Sequence, residues 1–345
     1  MLTTDAGLKQ GNIPGRGREV SRNGVKVHYA PQVPGYGIRS PALEAAIGEF
    51  AENQDLIHVT AIWQRTGPAA CRAARAAGVP CVISPRGALS PYSWKRGRWK
   101  KLVYYLLYER RNLSEAAGFH YTSAMEAAEC ESFRFGKPSC VVPNGIDFQR
   151  WRRNGAAGAA WRKRNGIPAD ARVMLYSGRM HHKKGLDLLP EVLSRLSKPD
   201  WRIVFVGGDD DATGQKLEVE FRRKGLADRV RFLPWVDSGA LAETYSGADI
   251  LVLPSRHENF GNVALEAAAC GCWILASEKV GIARQLAELG AGECLPLNVD
   301  AWVGTIANWR SRDAGPSSRV IGTFDIRNTA ESMETFYRSL PSAAR

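Results

Sequence analysis

The chain lacks several features that would assign it to common classes of protein. It contains no run of about 18 consecutive apolar residues, which a membrane-spanning helix would need. Its seven cysteines do not follow a zinc-ligand spacing, and their odd number argues against a disulfide framework. The first residues do not resemble a signal peptide, because they include neither a basic nor an apolar segment. From these absences we expect a cytoplasmic protein.

What the chain has instead is an excess of positive charge. Its formal net charge is +12, and most of the excess lies in residues 1–150. Such a charge favours contact with nucleic acid, anionic lipid or a phosphorylated substrate. Because the sequence carries no zinc finger, RNA-binding signature or Lys/Arg-rich tail, we expect no nucleic-acid partner and favour a membrane surface.

Length and periodicity indicate the fold class. A chain of 345 residues suggests two domains. From residue 55 onward, short apolar segments typical of buried parallel strands alternate with helical patterns. The predicted strands are 56–59, 79–84, 118–121, 140–143, 173–177, 202–206, 230–233, 250–253 and 273–276. We therefore predict two doubly wound α/β domains that bind ligands beyond the carboxyl ends of their strands.

The most informative segment runs from Glu258 to Glu266, directly after the apolar residues 250–254. A helix is predicted to begin near Asn262, where a helix N-terminus would favour an anionic group such as phosphate. The backbone N–H groups expected there are those of Asn259, Phe260 and Gly261. The two carboxylates would repel a phosphate but are strong acceptors for sugar and ribose hydroxyls. The segment predicts a nucleotide-sugar site.

Two other loops follow predicted strands. Arg179 and Lys184 would clamp a diphosphate, with Lys183 as the substitute if the register slips, and the alternative is a solvated basic loop. The run 209–211 is acidic enough for a metal site, but we interpret it as a solvated loop. We also interpret His181 and His182 as solvated, since no carboxylate or cysteine stands at ligand spacing in the sequence.

Five segments, in this order, resemble the retaining glycosyltransferases of family 4. They are 142–147, 177–186, 205–208, 230–236 and 258–266, and the resemblance covers nearly all of residues 55–340. It implies the GT-B architecture, with two Rossmann-like domains facing a central cleft. The acceptor-side domain would comprise residues 1–147 with a C-terminal helix at about 328–345, and the donor domain residues 148–327.

The resemblance also implies roles for individual residues. Glu258 would face the donor sugar, Glu266 would bind the ribose diol, and Arg179 with Lys184 would hold the diphosphate. Further donor-binding residues would be Gly178, Gly207 and Asn262, the glycines by close backbone approach. No metal and no other cofactor is expected, because basic side chains and helix dipoles neutralise the diphosphate.

Arg86 and Gly87 are expected on the acceptor side, at the end of a predicted strand. Many family members carry histidine in place of Arg86. Since arginine stays protonated, it cannot act as a general base, and we expect it to bind an acceptor phosphate or the leaving group. The surrounding segment 84–101 resembles the branch of the family that builds bacterial surface polysaccharides.

Residues 92–111 mix cations with aromatic side chains, among them Trp94, Trp99, Tyr104 and Tyr108. Two interpretations stay open, an interfacial helix on anionic lipid and a core helix with a basic outer face. His58, between two apolar residues of a strand, either lines the cleft or is a satisfied core histidine.

The beginning of the chain differs from the family pattern. Relatives open with a strand, a Gly-rich loop and a helix before a second strand that resembles residues 2–5. We therefore expect the first domain to be N-terminally truncated by a βαβ-sized step, through a late start codon or as a fragment or decayed enzyme. Residues 7–40 are predicted to be loop apart from a strand at 25–29.

The expected function is transfer of a sugar from a nucleoside-diphosphate sugar to a glycan or lipid-linked acceptor, at the inner face of the plasma membrane. Two alternatives remain. One is a catalytically impaired nucleotide-binding remnant associated with membrane. The other is a different GT-B enzyme, such as a nucleotide-sugar epimerase or a sugar phosphorylase, although neither acid–base histidines nor a cofactor lysine is evident.

Overall fold

The computed structural model describes residues 1–5, 19–22, 24–33, 40–95, 97–196, 200–209, 211–310 and 316–341. The chain divides into two compact units, one of Met1–Val142 with Met333–Arg345 and one of Pro143–Ser332. The sequence predicts that the first domain ends at residue 147 and that the chain returns to this domain near residue 328. All seven cysteines are free thiols. None of the helices in the described ranges is long and apolar enough to cross a lipid bilayer.

The first unit contains seven strands in two sheets. They are β1 (Leu2–Thr4), β2 (Glu19–Arg22), β3 (Val25–Ala30), β4 (Ile57–Thr60), β5 (Cys81–Ser84), β6 (Gly118–Tyr121) and β7 (Ser139–Val141). Strands β4-β5-β6-β7 form a parallel sheet in that order, and β1-β3-β2 form a second sheet in which β2 runs antiparallel to β3. The sequence missed β2, because its polar residues form a strand only by pairing with β3.

The helices of the first unit follow its strands. They are α1 (Pro41–Ala51), α2 (Thr66–Ala77), α3 (Pro91–Lys95), α4 (Arg98–Tyr104), α5 (Arg110–Glu115) and α6 (Ala124–Cys130), with a π-helical turn at Tyr105–Glu109 and a 3₁₀ turn at Glu131–Phe133. The helix considered for residues 92–111 is therefore divided into shorter segments. In the turn that interrupts it, Arg110 N–H donates to the carbonyl of Tyr105, the wide spacing of a π-helix.

Each face of the parallel sheet in the first unit has its own core. On one face Ile83 of β5 packs in a cluster with Leu89, Leu113 and Phe119. On the other face Val82, the neighbouring residue of β5, packs with Met333, Phe336 and Leu340 near the end of the chain. This alternation follows from the two-residue period of a strand. The end of the chain therefore supplies one of the two layers that cover this sheet.

The second unit is built on six parallel strands. They are β8 (Arg172–Ser177), β9 (Trp201–Val206), β10 (Val230–Leu233), β11 (Ile250–Leu253), β12 (Trp273–Ser277) and β13 (Gly292–Leu295), in the sheet order β10-β9-β8-β11-β12-β13. This is the doubly wound order of a Rossmann fold, in which the direction of winding reverses between β8 and β11. Ligands of such sheets bind beyond the strand ends at that reversal, here after Ser177 and Leu253.

Helices cover both faces of this sheet. They are α7 (Gly155–Arg164), α8 (Leu189–Arg195), α9 (Thr213–Arg223), α10 (Ser238–Ser246), α11 (Asn262–Ala269), α12 (Ala283–Glu288), α13 (Val299–Asn308) and α14 (Ser318–Phe324). Helix α15 (Ile326–Ser339) begins in this unit, but its buried residues Met333 and Phe336 belong to the core of the first unit. All four residues of β11 are fully buried, as expected of a parallel strand covered on both sides. The predicted doubly wound α/β organisation is confirmed, whereas β13 was missed because only its last two residues, Cys294 and Leu295, are apolar.

Candidate functional site

Two loops of the second unit meet beyond the strands β8 and β11. Gly185 has φ of +65°, and a Cβ atom added there would overlap the carbonyl oxygen of Pro254. Close to this contact, Arg256 N–H donates to the carbonyl of Lys183 at 2.8 Å. Only glycine combines this backbone conformation with such a close approach. The two loops are therefore held together at the reversal point of the sheet.

This contact brings the two most important predicted side chains together. The ammonium of Lys184 donates to Oε2 of Glu258, and both side chains are partly buried. The sequence assigned Lys184 to a diphosphate and Glu258 to a sugar, but it gave no sign that they touch. Since the ammonium is bonded to a carboxylate, an incoming phosphate would compete with Glu258 for it.

Tyr176 connects Arg179 to the same site. Its hydroxyl donates to the backbone carbonyl of Arg179 at 2.7 Å, and its ring is fully buried in the core. Burial raises the pKa of the Tyr176 hydroxyl, the negative charge of Glu258 raises it further, and the positive charge of Arg179 opposes both. Both charges therefore lie close to one buried hydroxyl. Tyr176 reads as an ordinary strand residue, so the sequence did not identify it.

The backbone around Glu258 is fixed by the loop that follows β12. Glu258 N–H donates to Lys279 at 2.9 Å, and the carbonyl of Glu258 accepts from Gly281 at 3.0 Å. Ile282 N–H in turn donates to the carbonyl of Phe260 at 3.0 Å. Because the side chain of Phe260 is buried in the core, this residue can offer a ligand only its backbone.

Helix α11 begins at Asn262, as the sequence predicts, and Gly261 precedes it with φ of +98°. A Cβ atom at Gly261 would lie 2.8 Å from Val280, so glycine is required here by packing as well as by conformation. Glycine also offers no side chain to cap the first N–H groups of the helix. Gly261 therefore leaves the positive end of the helix dipole without a side-chain cap of its own. An uncapped helix N-terminus is suited to an anionic ligand.

Glu266 lies one turn further along α11 and is half-buried. Its Oε2 is 3.3 Å from the hydroxyl oxygen of Tyr245. The same hydroxyl oxygen lies 3.3 Å from Oγ of Ser177. Burial raises the pKa of the Glu266 carboxyl, while the hydrogen bond from Tyr245 and the charge of Arg150 lower it. Tyr245 thus orients the carboxylate that the sequence assigned to a ribose, and no sequence motif pointed to it.

Packing gives a reason for glycine at position 207. Gly207 is buried with φ of +146°, and a Cβ atom there would overlap the carbonyl oxygen of Gly178. The loops after β8 and β9 therefore approach each other at this point. The close approach of this backbone to a nucleotide stays a prediction.

His182 is exposed, as the sequence predicts, but the interpretation that His181 and His182 have no carboxylate partner is wrong. Oδ2 of Asp211 lies 3.2 Å from Nδ1 of His182 and 3.7 Å from Nε2 of His181. Hydrogen bonds from Thr213 and from the backbone of His182 lower the pKa of Asp211. The partner comes from the acidic run, of which Asp210 lies outside the described residues. One ligand atom from each of the three residues lies within 4.8 Å of the others, a spacing that a metal ion could bridge.

The tautomer of His181 bears on that possibility. Its Nδ1 accepts a hydrogen bond from Lys183 N–H at 3.2 Å, so in the neutral ring the proton is on Nε2, which faces Asp211. A metal ion at Nε2 would have to displace this proton. The contacts of His182 with Asp211, both at 3.2 Å, already link the two loops without a metal ion.

Arg86 and Gly87 occupy a turn after β5 in the first unit, with φ of +55° and +73°. Gly87 N–H donates to Oε1 of the buried Glu126 at 2.6 Å, and Thr122 N–H donates to the other carboxylate oxygen at 2.8 Å. Burial lowers the pKa of the Arg86 guanidinium, and the negative charge of Glu126 opposes this effect. A buried carboxylate therefore organises the turn that carries Arg86.

A chain of hydrogen bonds crosses the same sheet. Nε2 of His120 lies 2.8 Å from the carbonyl of Val142, which can only accept, so this nitrogen carries the proton. Ser84 must then donate to Nδ1 of His120, and His58 Nε2–H donates to Ser84, each at 2.8 Å. Tyr337 completes the chain by donating to Nδ1 of His58 at 2.6 Å. Every proton in the chain is thus assigned.

His58 is therefore a satisfied histidine with both ring nitrogens bonded. Burial, followed by the charges of His120 and Arg86, lowers its pKa to about 4. The pKa of His120 is also lowered, chiefly by burial. Both rings stay neutral near pH 7, as the ordered chain requires.

Comparison with known protein families decides the identity of the chain. The family model described as glycosyl transferases group 1 matches residues 159–319, and a glycosyl transferase 4-like domain matches residues 2–145. The chain belongs to the group 1 glycosyltransferases. The predicted family is thereby confirmed, and the two matches fall one on each of the two units.

Related glycosyltransferases share part of the sequence. The D-inositol 3-phosphate glycosyltransferase of Geodermatophilus obscurus is 32% identical over 244 residues, which are 66% of this chain and 54% of the relative. That of Mycobacteroides abscessus is 31% identical over 242 residues, 66% of this chain and 53% of the relative. The chain thus spans about half the length of the curated relatives that it matches.

Solved glycosyltransferase structures share the fold. Sucrose-phosphate synthase from Thermosynechococcus elongatus superposes with a TM-score of 0.72 at 21% identity, covering 95% of this chain and 86% of that one. Anabaena HepE in complex with UDP and glucose gives a TM-score of 0.74 at 21% identity, covering 92% and 87%. The predicted GT-B fold of two Rossmann-like domains is confirmed. At this identity the likeness concerns the fold alone.

Proposed function

We propose that this group 1 glycosyltransferase moves a sugar from a nucleoside-diphosphate sugar to a hydroxyl of a glycan or lipid-linked acceptor, with retention of configuration. One observation carries the proposal. Lys184, Glu258 and the N-terminus of α11 lie together at the reversal of strand order in the second unit, where doubly wound folds bind nucleotides. The solved structures of Anabaena HepE hold UDP or UDP-glucose, which supports a donor of this class.

In the proposed complex each group meets a different part of the donor. Lys184 and Arg179 contact the diphosphate together with the backbone N–H groups at the start of α11. Glu258 accepts hydrogen bonds from sugar hydroxyls, and Glu266, oriented by Tyr245, accepts them from the ribose. Gly178 and Asn262 border the same site, with Asn262 held by the amide of Asn144 at 2.8 Å.

The chemistry proposed for the site is electrostatic. The bond from the anomeric carbon to the diphosphate breaks, and the acceptor hydroxyl attacks on the face that the diphosphate leaves. The hydroxyl proton passes to a diphosphate oxygen, so no side chain needs to act as a covalent nucleophile. Arg179 and Lys184 stabilise the charge that develops on the leaving group.

We also propose that transfer needs no metal ion. Two basic side chains and a helix N-terminus already neutralise the diphosphate, as a cation would. The cluster of His181, His182 and Asp211 is the place in the described part of the chain where a metal ion would bind if this proposal were wrong. Donor turnover that is unchanged by excess EDTA would support it, and turnover restored only by an added divalent cation would overturn it.

On the acceptor side we propose that Arg86, with Gly87 and the buried Glu126 behind it, binds a phosphate of the acceptor. A phosphate-bearing, lipid-linked acceptor would fit surface polysaccharide synthesis at the inner face of the plasma membrane. Under this proposal the protein has no nucleic-acid partner and associates with the membrane peripherally.

A screen of donor hydrolysis over UDP-, GDP- and ADP-sugars tests the proposal. We expect turnover with one donor class and a decrease of about 100-fold or more in Glu258→Ala and Arg179→Ala, the size of a lost transition-state partner. Glu243→Ala and Arg164→Ala are matched controls, because these residues form an exposed ion pair elsewhere on the second unit. Nucleotide binding without any turnover, or equal rates in the site variants and the controls, would contradict the proposal.

A further inference from the structure

The helical segment after α3 exposes a row of large apolar side chains. Trp99 is 76% exposed, Val103 55%, Leu106 54% and Leu107 68%. We call these four residues the apolar stripe. Such a contiguous exposed group on a folded unit marks an interaction site. Isolated apolar side chains are also exposed elsewhere on the protein, but this group lies within ten residues of one helical segment.

The stripe does not result from a poorly packed helix. Its residues follow the spacing i, i+4, i+7 and i+8, which is one face of a helix. The opposite face packs inward through Tyr105 and Leu113 of the first core. In addition, the buried carboxylate of Glu109 accepts from the backbone of Trp63 at 3.1 Å. The helix is thus anchored on one side while it presents apolar side chains on the other.

The structure changes which aromatic residues belong to this face. Trp94 packs edge-on against Trp63 at 5.3 Å between ring centroids, and Tyr104 packs against the same ring at 6.2 Å. The sequence left open whether this helix lies on lipid or in the core, and these two side chains belong largely to the packing beneath the outer face. The outer face is formed by the apolar stripe together with Tyr108, which is 43% exposed.

The exposed charge next to the stripe is positive. Lys95, Arg98, Lys100 and Arg110 are exposed on this segment, whereas the only acidic residue between positions 91 and 111 is the buried Glu109. Arg111 is also exposed, but it is ion-paired with Glu115 at 2.9 Å. A surface with apolar side chains bordered by cations is complementary to an anionic lipid bilayer. A second copy of the chain would instead bring like charges face to face across a symmetric contact.

We propose that the apolar stripe and its flanking cations form a docking surface for an anionic lipid bilayer. The apolar side chains enter the boundary between headgroups and acyl chains, and the cations remain at the level of the lipid phosphates. This inference deepens the membrane part of the proposed function. It does not depend on transfer, because binding to lipid can be measured without donor or acceptor.

Vesicle co-sedimentation of the full chain tests the proposal. We expect binding to vesicles that contain phosphatidylglycerol to be about 10-fold or more stronger than to phosphatidylcholine alone, and to weaken with salt. Binding of the double variant Leu106→Glu/Leu107→Glu to anionic vesicles should be weaker by about 10-fold or more. The variant Arg98→Glu/Lys100→Glu should lose the preference for anionic over neutral lipid. Val219→Glu and Trp235→Ser are controls, since these residues are 62% and 67% exposed in the second unit.

Three outcomes would overturn the proposal. The first is equal vesicle binding by the wild type and both double variants, with circular dichroism showing that all are folded. The second is a dimer of the wild type that Leu106→Glu/Leu107→Glu dissociates while vesicles bind neither protein, which would make the stripe a self-interface. The third is binding of equal strength to neutral and anionic vesicles. Donor hydrolysis in the absence of lipid should be unchanged in these variants, so failure of the proposed transfer would be seen separately.

Discussion

Lys184 is ion-paired with Glu258, and it is held there by the contact of two loops that are far apart in the sequence. A partly buried pair of this kind contributes little net free energy, because desolvation offsets most of the attraction. Under the proposed function one cation would serve two partners in turn. It neutralises Glu258 in this structure, and a bound diphosphate would share it.

This sharing predicts different effects of Glu258→Gln on binding and on turnover. Release of Lys184 from the carboxylate should strengthen binding of a nucleoside diphosphate, which lacks the sugar, by roughly 5-fold, for about 1 kcal/mol of competition. Turnover should fall about 100-fold, since the sugar loses its charged acceptor. Calorimetry with UDP, GDP and ADP measures the binding, and the donor assay measures the turnover. Glu243→Gln is the control for both measurements. Parallel loss of binding and turnover would show that the two groups do not compete.

Tyr245→Phe should raise KM for the donor by about 5-fold and leave kcat nearly unchanged, as expected for about 1 kcal/mol from one lost hydrogen bond. The reason is that the hydroxyl orients Glu266, which we assign to the ribose. A double-mutant cycle separates this role from a general packing role. In the Glu266→Ala background the change at Tyr245 should have little further effect, and an undiminished effect there would rule out action through Glu266.

Gly185→Ala should lower both stability and turnover, because the new methyl group would overlap Pro254 and displace Lys184. Gly166→Ala is a matched control, with φ of +63° but no atom within 4 Å of the added Cβ. The control should lower the free energy of unfolding by about 1 kcal/mol, because alanine is strained in the left-handed backbone conformation. Gly185→Ala should lower it by more. Urea unfolding of the two variants gives the difference. Equal values would mean that the loop contact is not tight.

Stability should fall in mild acid because of His58. Its pKa is lowered from its usual 6.5 to about 4 in the folded protein, so between these values the unfolded chain binds more protons. The free energy of unfolding should be greatest above pH 6.5 and fall by up to about 3 kcal/mol as the pH approaches 4. Urea titrations at pH 7 and pH 5 measure the decrease. Proton NMR of the imidazole provides the direct check, since an imidazole that titrates near pH 6.5 would contradict the assignment.

Tyr337→Phe should destabilise the protein by about 1–3 kcal/mol, because Nδ1 of the largely buried His58 would lose its donor. The part of the acid sensitivity that comes from His58 should decrease at the same time, since a less constrained imidazole takes up a proton more easily. Tyr108→Phe is the control, because the side chain of Tyr108 is 43% exposed. Unfolding curves at pH 7 and pH 5 give both quantities, and a variant as stable as the wild type would show that the chain of hydrogen bonds contributes nothing.

Local patterns in the sequence were sufficient for most of the strands, although not for β2 and β13, and for the start of α11. A buried apolar segment followed by a glycine and a helical period is determined within about a dozen residues, so Asn262 was placed correctly. The pairing of Lys184 with Glu258 was not predictable, because it depends on the contact of Gly185 with Pro254, which no local pattern records. The contact of Asp211 with His182 was not predictable either, because it also joins two loops that are distant in the sequence. Burial on the 92–111 segment was only half predicted, because Trp94 and Tyr104 pack against Trp63, which is distant in the sequence.

The last residues of the chain belong to the layer that covers the far side of the first sheet. Phe336 and Leu340 pack against Val82 and Val142, and Tyr337 ends the proton-ordered chain that begins at the carbonyl of Val142. A gene fragment that stopped at Val142 would encode the sheet without this cover. Swapping the first unit between two relatives would therefore require moving two distant stretches of the gene together.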